Sequence, residues 1–363
     1  MEKEGYWSGL DETLSGGQLG LTLASMRARF QMKFATNLIK KSGVFLSWLG
    51  RQGTRALAAL VIIGIALPPI GALLKPLVAA AVFILLSLAF LRTDTAALKL
   101  YLGRPALVIA ATAWTAFLIP FLFGLTAVAF GFKTCLPDFF LGVMLQAITS
   151  PMMAAPALTA LMGLDATLVL ITMLASTALI PFSAYFFTRV FIGTALTLSP
   201  WALGLKLLAL IGGSVLIGFT IRRLAGVAAI NRHQDKIDGL NIMVLFVFVT
   251  AVMGNVAPRF LSTPLTALAL TAIAWIVFLI IFGLTTLVFA PFGRIKALSL
   301  GFMVSQRNMG LMLAATGGAL PDLTWLYFAL SQFPIYLSPH LFQPAVRRIL
   351  NRPRNSRSQT ADR

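Results

Sequence analysis

Apolar runs of about 20 residues recur between Thr54 and Val346, and they restrict the fold more than any other feature of this chain. A run of that length crosses about 30 Å of hydrocarbon as an α-helix. Hydrophobic residues make up 58% of the sequence and charged residues 11%, whereas soluble domains average about 25% charged residues. The sequence therefore predicts an all-α integral membrane protein whose first partner is the lipid bilayer, and it excludes a soluble globule.

Glycine, proline and charged residues divide these runs into about ten transmembrane helices. The predicted spans are 54–73, 75–92, 104–131, 138–163, 166–191, 200–222, 238–257, 264–292, 297–317 and 322–346.

The positive charges behind the formal net charge of +18 indicate how the chain is oriented in the membrane, because most of them lie between the apolar runs and in the two tails. Counted from a cytoplasmic N-terminus, every large cluster falls on the inner side. We therefore expect both termini in the cytoplasm, in the cell inner (plasma) membrane, and no nucleic-acid partner. The inner clusters are Arg51 and Arg55; Arg92, Lys99 and Arg104; Arg222, Arg223, Arg232 and Lys236; Arg294 and Lys296; and the group from Arg347 to Arg357.

The chain divides into four parts on this pattern. Residues 1–53 form a basic N-terminal segment, either amphipathic on the membrane surface or disordered. Residues 54–191 and 192–349 are the first and second transmembrane repeats, and residues 350–363 are a basic cytoplasmic tail.

Similar sequence segments in the third and eighth spans indicate an internal repeat. The segment from Ala113 to Ile119, AWTAFLI, resembles that from Ala274 to Ile280, AWIVFLI, and FGLT follows at Phe123 and again at Phe282. Five spans per half is an odd number, so the second half must be inverted relative to the first. Transporters with such five-plus-five inverted repeats bind substrate near the bilayer midplane, where two broken helices cross.

The first predicted break lies in the fourth span. Pro151 and Pro156 each remove a backbone donor and disfavour helix at the preceding residue, so the chain from Ser150 to Pro156 is expected to unwind. The alternative is a proline kink that neighbouring helices satisfy.

The second predicted break lies in the ninth span, where Ser305, Gln306, Arg307 and Asn308 interrupt an apolar run. An arginine near the middle of a span costs upward of about 2.5 kcal/mol unless it faces the protein interior. The alternative places Arg307 at the interface beside Arg294 and Lys296.

Polar residues of the spans supply the candidate binding groups. Arg307 is their only charged member, which favours a small organic anion as substrate and partner. Two isolated histidines, His233 and His340, and one cysteine, Cys135, predict no metal site. No P-loop, nucleotide fingerprint or G-x-S-x-G elbow occurs in a usable context, so we expect no cofactor and no enzyme activity. The neutral candidates are Thr115, Gln146, Ser150, Gln306, Asn308, Ser331 and Gln332.

From about Thr54 to Ile349 the chain resembles the bile acid:sodium symporter family. The resemblance rests on Arg104-Pro105 with Pro120, on Gly142-Val143 before the first break, on Ser176 to Pro181, and on Gln306 to Leu311. It implies a ten-helix fold with panel and core domains, crossing broken helices in the core, and transport of organic anions.

The chain departs from this family at the positions that bind sodium. Met303 stands where the family has glutamate, Arg307 where it has glutamine, and Ala155-Pro156 where it has Ser-Asn, while Thr115 aligns with the polar residue of the third span. Sodium coupling is therefore not expected. The hypothesis is that Arg307 permanently supplies the positive charge that bound sodium supplies in the family.

Two other functions remain open on the sequence. One is arsenite or auxin-type efflux on a similar fold, although Cys135 lies upstream of the first break, where such arsenite carriers are expected to use a cysteine. The other is a degenerate transporter fold that acts as a membrane sensor or scaffold, which the missing sodium ligands and the basic N-terminal segment motivate.

Overall fold

The protein is an all-α membrane protein in a computed structural model that describes residues 43–51, 62–93, 105–254 and 256–350. Six of its helices are long and apolar enough to cross a membrane. They are α1 (Pro68–Arg92), α2 (Pro105–Ala129), α5 (Ala166–Ile192), α6 (Pro200–Ala225), α7 (Gln234–Ser262) and α8 (Pro264–Val288).

Shorter helices occur as three pairs, and a short break separates the two helices of each pair. The pairs are α3 (Pro137–Ile148) with α4 (Ala155–Leu161), α9 (Arg294–Ser305) with α10 (Met309–Thr316), and α11 (Asp322–Leu330) with α12 (Gln332–Leu350). They coincide with the predicted fourth, ninth and tenth spans. Polar and proline residues divide each of these spans into two helices.

The predicted boundary between the first two spans is wrong. Residues 62–66 are helical, the backbone turns at Leu67, and α1 then continues from Pro68 to Arg92. The predicted boundary fell at residue 74, but Lys75 and Pro76 directly after it form a single 3-10 turn inside the helix. A short 3-10 turn can accommodate proline, which has no N–H to donate. Residues 54–61 of the predicted first span and residues 1–42, 52 and 53 of the predicted N-terminal segment lie outside the described residues.

The helices form two groups. We call α1, α6 and α7, with residues 43–51 and 62–66 beside them, the first helix group, and α2 to α5 with α8 to α12 the second. The two groups also pack against each other, mainly through α6 against α5 and α10 against α1. Within the first group, small residues bring backbones together: a Cβ on Gly239 would lie 1.9 Å from the Leu46 carbonyl oxygen, and one on Gly71 would lie 2.6 Å from the Gly254 Cα. Such close approaches supply packing energy where the hydrophobic effect between helices is weak.

Residues 43–51 lie beside the start of α7, and Arg51 pairs with Asp235 there. At the same end, Arg222 near the end of α6 donates to the Leu91 carbonyl oxygen at 3.0 Å, and Arg92 pairs with Asp238. We call this the Arg92 end of the molecule. Lys75, near the start of α1, lies towards the opposite end of the molecule, which we call the Lys75 end.

Candidate functional site

The first helix break lies between α3 and α4. Thr149 leaves the helix with ψ of 158°, and α4 begins at Ala155 with Pro156 in its first turn. Proline is well tolerated there because the first N–H groups of a helix have no partner inside it. The unwinding predicted around Pro151 and Pro156 is therefore present.

The second break lies between α9 and α10 and consists of two consecutive tight turns. Gln306 has φ −82° and ψ 80°, and Asn308 has φ −81° and ψ 75°, both close to the inverse γ-turn. Arg307 N donates to Ser305 O at 3.1 Å, and Met309 N donates to Arg307 O at 3.0 Å. The Asn308 side chain then accepts a hydrogen bond from Leu311 N at 3.2 Å and caps α10.

The two breaks meet and pair with each other. Met152 N donates to Gln306 O at 2.6 Å, and Asn308 N donates to Ser150 O at 2.8 Å, which places Pro151 opposite Arg307 in an antiparallel bridge. The bonds flank this pair, so Pro151 needs no N–H at its position. The Thr149 hydroxyl donates to Asn308 O at 2.8 Å. Backbone groups that unwinding releases inside the membrane are thus satisfied by the other break.

Arg307 is fully buried beside this crossing. Its Nη1 donates to the carbonyl oxygens of Thr149 at 2.8 Å and Thr115 at 3.4 Å. The Thr115 carbonyl is free because Ile119 N turns to Trp114 O in a π-helical turn, and Pro120 has no N–H. The Arg307 side chain therefore lies in the protein interior, as an arginine within a span requires.

The guanidinium is only partly satisfied. Nε and Nη2 have no hydrogen-bond partner among the described residues, and no ion pair reaches the side chain within that part of the chain. Nε carries one hydrogen and Nη2 two, so three donors of a buried cation remain unused. Buried polar groups without partners are rare and costly in native structures, and they often mark functional sites.

A cavity of about 820 Å³ lies between the two helix groups and reaches this crossing. Arg307, Asn308 and Gly310 line its inner end, and Arg51, Arg92 and Asp238 line the other end. The Arg51 side chain is 73% exposed whereas Arg307 is 0% exposed, so the cavity opens at the Arg92 end. Most of the other lining residues are apolar, and leucine and methionine are the commonest among them.

Three polar side chains besides Arg307 line the inner part of the cavity: Asn308, Gln332 and Tyr336. Gln332 donates to the Phe328 carbonyl oxygen at 3.2 Å, and Tyr336 follows one helical turn later on the same face of α12. Sequence reasoning missed Tyr336, together with Met152, Met153 and Asn241 of the cavity wall. The spacing of Tyr336 from Gln332 was the signal that could have found it.

The other predicted binding residues are buried but do not line this cavity. The Gln146 side chain accepts a hydrogen bond from the Tyr327 hydroxyl, Thr115 Oγ1 donates to Ala111 O, and Gln306 Nε2 donates to Ser338 Oγ. Ser331 Oγ donates to Phe328 O, and Ser150 Oγ has no partner among the described residues. The Gln146 and Gln306 bonds join separate helical segments around the cavity, whereas the Thr115 and Ser331 hydroxyls bond to carbonyl groups of the preceding turn.

Tyr327→Phe is expected to lower stability by about 1–3 kcal/mol, because the buried Gln146 carbonyl oxygen loses its donor. The melting temperature of the protein in detergent measures the loss. Tyr185→Phe is the matched control, since the Tyr185 hydroxyl accepts from Arg189 at an exposed position and its removal should leave the melting temperature unchanged. Equal melting temperatures for both variants would contradict a structural role for the Gln146–Tyr327 bond.

Neither a protein-family model nor a curated protein matches this sequence. Within the part of the chain that the structure describes, no group of three or more histidine, cysteine, aspartate or glutamate residues could hold a metal ion. The chemistry of the site therefore follows from its own geometry: a buried cation with unused donors at the end of a largely apolar cavity.

Proposed function

We propose that the protein is a secondary membrane transporter of a small organic anion that works by alternating access. The observation that carries this proposal is the buried guanidinium of Arg307, whose Nε and Nη2 are unpaired at the inner end of the cavity. A carboxylate or similar group placed there would accept these donors and neutralise the charge. Burying an unpaired arginine costs free energy, and a bound anion would offset this cost.

The architecture supports a carrier. Two broken helices whose breaks pair with each other are what an inverted-repeat transporter with a midplane site would have. Six long helices, three broken pairs and the helical residues 62–66 fit a ten-span, five-plus-five arrangement, with the two groups as the panel and core domains that the family resemblance implies. Clustered cations at the Arg92 end support a cytoplasmic position for that end, and in this proposal the cavity opens to the inside.

Sodium does not fit the residues at the positions where the resemblance implies its ligands. Met303 and Ala155 are buried in one apolar cluster with Leu300 and Val304. A hard cation such as sodium needs several oxygen ligands, which thioether and methyl groups do not offer. We therefore propose transport without coupling to sodium through these positions.

Uptake into reconstituted vesicles tests the proposal. A series of monocarboxylates from propionate through phenylacetate to cholate is compared with the corresponding uncharged amides, in sodium and in choline buffers. At least one acid should accumulate, its amide should not, and the rate should be the same in both buffers. Uptake that requires sodium would overturn the sodium-independent mechanism, and no uptake of any acid would refute the carrier as stated and favour the sensor or scaffold.

The efflux alternative receives less support from the site. Cys135 is exposed in a short helix (Phe132–Cys135) before α3 and is absent from the cavity wall. Soft thiolate ligation of arsenite at the crossing is therefore not provided by this chain's cysteine.

A further inference from the structure

At the Lys75 end, charged and aromatic side chains join the two helix groups. Lys75 Nζ of α1 lies 4.4 Å from the ring centroid of Trp325 in α11. Arg259 Nη2, near the end of α7, lies 3.0 Å from Asp322 Oδ2 at the start of α11. A void of about 20 Å³, room for a single water, lies between these four residues. We call the four residues the Lys75-end junction.

The Arg92 end is connected differently. Its two ion pairs, Arg51 with Asp235 and Arg92 with Asp238, both lie inside the first helix group. Among the described residues, only the ion pair of the Lys75-end junction joins the first group to the second. Among the described residues, the ion pairs therefore join the two groups at the Lys75 end and not at the Arg92 end.

An apolar contact separates the cavity from the junction. A Cβ on Gly310 would lie 2.8 Å from the Phe248 ring and 3.3 Å from Val82 Cγ2, so α10 of the second group touches α1 and α7 of the first at this point. Val82, Phe248 and Gly310 also line the inner end of the cavity. Lys75 precedes Val82 by seven residues in the sequence, about 10 Å along a helix. The junction is thus a second closure outside the apolar one.

The chemistry of the junction suits a contact that separates repeatedly. The Asp322 side chain is 88% exposed and that of Arg259 is 42% exposed, and ion pairs in water contribute little net stability. The ammonium of Lys75 can regain water when it leaves the face of Trp325, so breaking this contact strands no unsatisfied polar group. The crossing is different, because its backbone bonds are buried and have no water to replace them.

We propose that the Lys75-end junction is a latch that keeps this end shut while the cavity is open at the Arg92 end, and that opens when the cavity is exposed to the other side. This inference rests on the proposed alternating access. It assigns to Lys75, Arg259, Asp322 and Trp325 the task of setting the balance between the two states. Weakening the latch should shift the population towards the state open at the Lys75 end.

Cysteine accessibility tests the latch without any substrate. Ala89, which lines the cavity, is replaced by cysteine in a Cys135→Ser background, and a membrane-impermeant maleimide is applied from each side. Labelling from the Lys75 side should be slow, and Asp322→Asn or Trp325→Leu should accelerate it about fivefold or more. Labelling from the Arg92 side should continue in every variant, which verifies that each one is folded.

Asp235→Asn is the matched control, because it removes an exposed ion pair that lies inside one group. It should leave both labelling rates unchanged. A short reversible crosslink between Arg259→Cys and Asp322→Cys should block labelling from the Lys75 side, and a reducing agent should restore it. The latch is refuted if Asp322→Asn, Trp325→Leu and Arg259→Gln all label at the parent rate. Altered labelling without uptake of any acid would retain the latch and reject the carrier.

Discussion

Arg307→Gln is expected to weaken binding of the transported acid at least about 100-fold and to abolish its uptake. Removing one partner of a buried charge pair costs about 3–5 kcal/mol, and each 1.4 kcal/mol corresponds to a factor of about ten in affinity. Among the residues that the structure describes, Arg307 is the only charged side chain at the inner end of the cavity. Uptake of the carboxylate series into vesicles, with isothermal titration of whichever acid is transported, measures the effect.

The unliganded Arg307→Gln protein should melt at the same temperature as the parent or higher. The substitution removes a buried cation with three unused donor hydrogens, while the glutamine amide can still donate to the Thr149 carbonyl oxygen that Arg307 now uses. Partly satisfied buried charges are costly, and their replacement is often neutral or stabilising. The expected result is therefore a loss of function without a loss of fold.

Two further variants separate charge from shape. Arg307→Lys keeps the charge but carries it on a compact ammonium group instead of a planar guanidinium, so it should retain weak binding. Arg189→Gln is the control at an exposed arginine that contacts Tyr185, and it should leave affinity unchanged. If Arg307→Gln lowered the melting temperature strongly and left the affinity for the acid intact, Arg307 would be a structural tie between the broken helices and not a substrate ligand.

Gly301→Val is expected to destabilise the protein by about 3 kcal/mol, the upper part of the usual range for overpacked interiors. A Cβ at Gly301 would lie 2.1 Å from Thr286 Oγ1 and 2.9 Å from the Phe282 carbonyl oxygen. The second contact is with backbone, so α9 must move away from α8. Because α9 ends at the break that carries Arg307, uptake should fall together with the melting temperature.

Gly283→Val is the matched control, since a Cβ at Gly283 has no atom of the described residues within 4 Å. It should leave both the melting temperature and uptake near the parent values. In Gly301→Ala, adding Thr286→Ala removes the nearer contact and should restore part of the stability, while the Phe282 carbonyl remains in place. Equal stability of Gly301→Val and Gly283→Val would show that α8 and α9 do not approach as closely as described.

The sequence located the breaks because their signals are local. Pro151 and Pro156 each lack a backbone donor, and Arg307 is too costly to place in hydrocarbon without a partner. The expected burial of Arg307 followed from the same reasoning and agrees with its 0% exposure. The predicted boundary between the first two spans, at residue 74, was wrong because Lys75 and Pro76, which follow it directly, form a 3-10 turn within one long helix.

The partners of the polar residues could not be predicted in the same way. Thr115, Gln146 and Gln306 look alike in sequence as polar groups within apolar spans, yet each donates to or accepts from a different neighbour and none lines the cavity. Tyr336 lines the cavity although it is an ordinary aromatic residue in the last span. Which face of a helix meets the cavity depends on how the helices pack, and this information is spread over the whole chain.

By itself, the sequence determined that this protein is an α-helical membrane protein and that its polar residues interrupt two spans, since hydrocarbon length and proline chemistry act on consecutive residues. Only the tertiary structure decided that the interruptions pair with each other, with Pro151 opposite Arg307. It also decided that the guanidinium takes a carbonyl freed by a π-helical turn in α2, at Thr115, a residue far away in the sequence. Hydrogen bonds in a membrane must be satisfied somewhere, but where they are satisfied is a property of the folded arrangement.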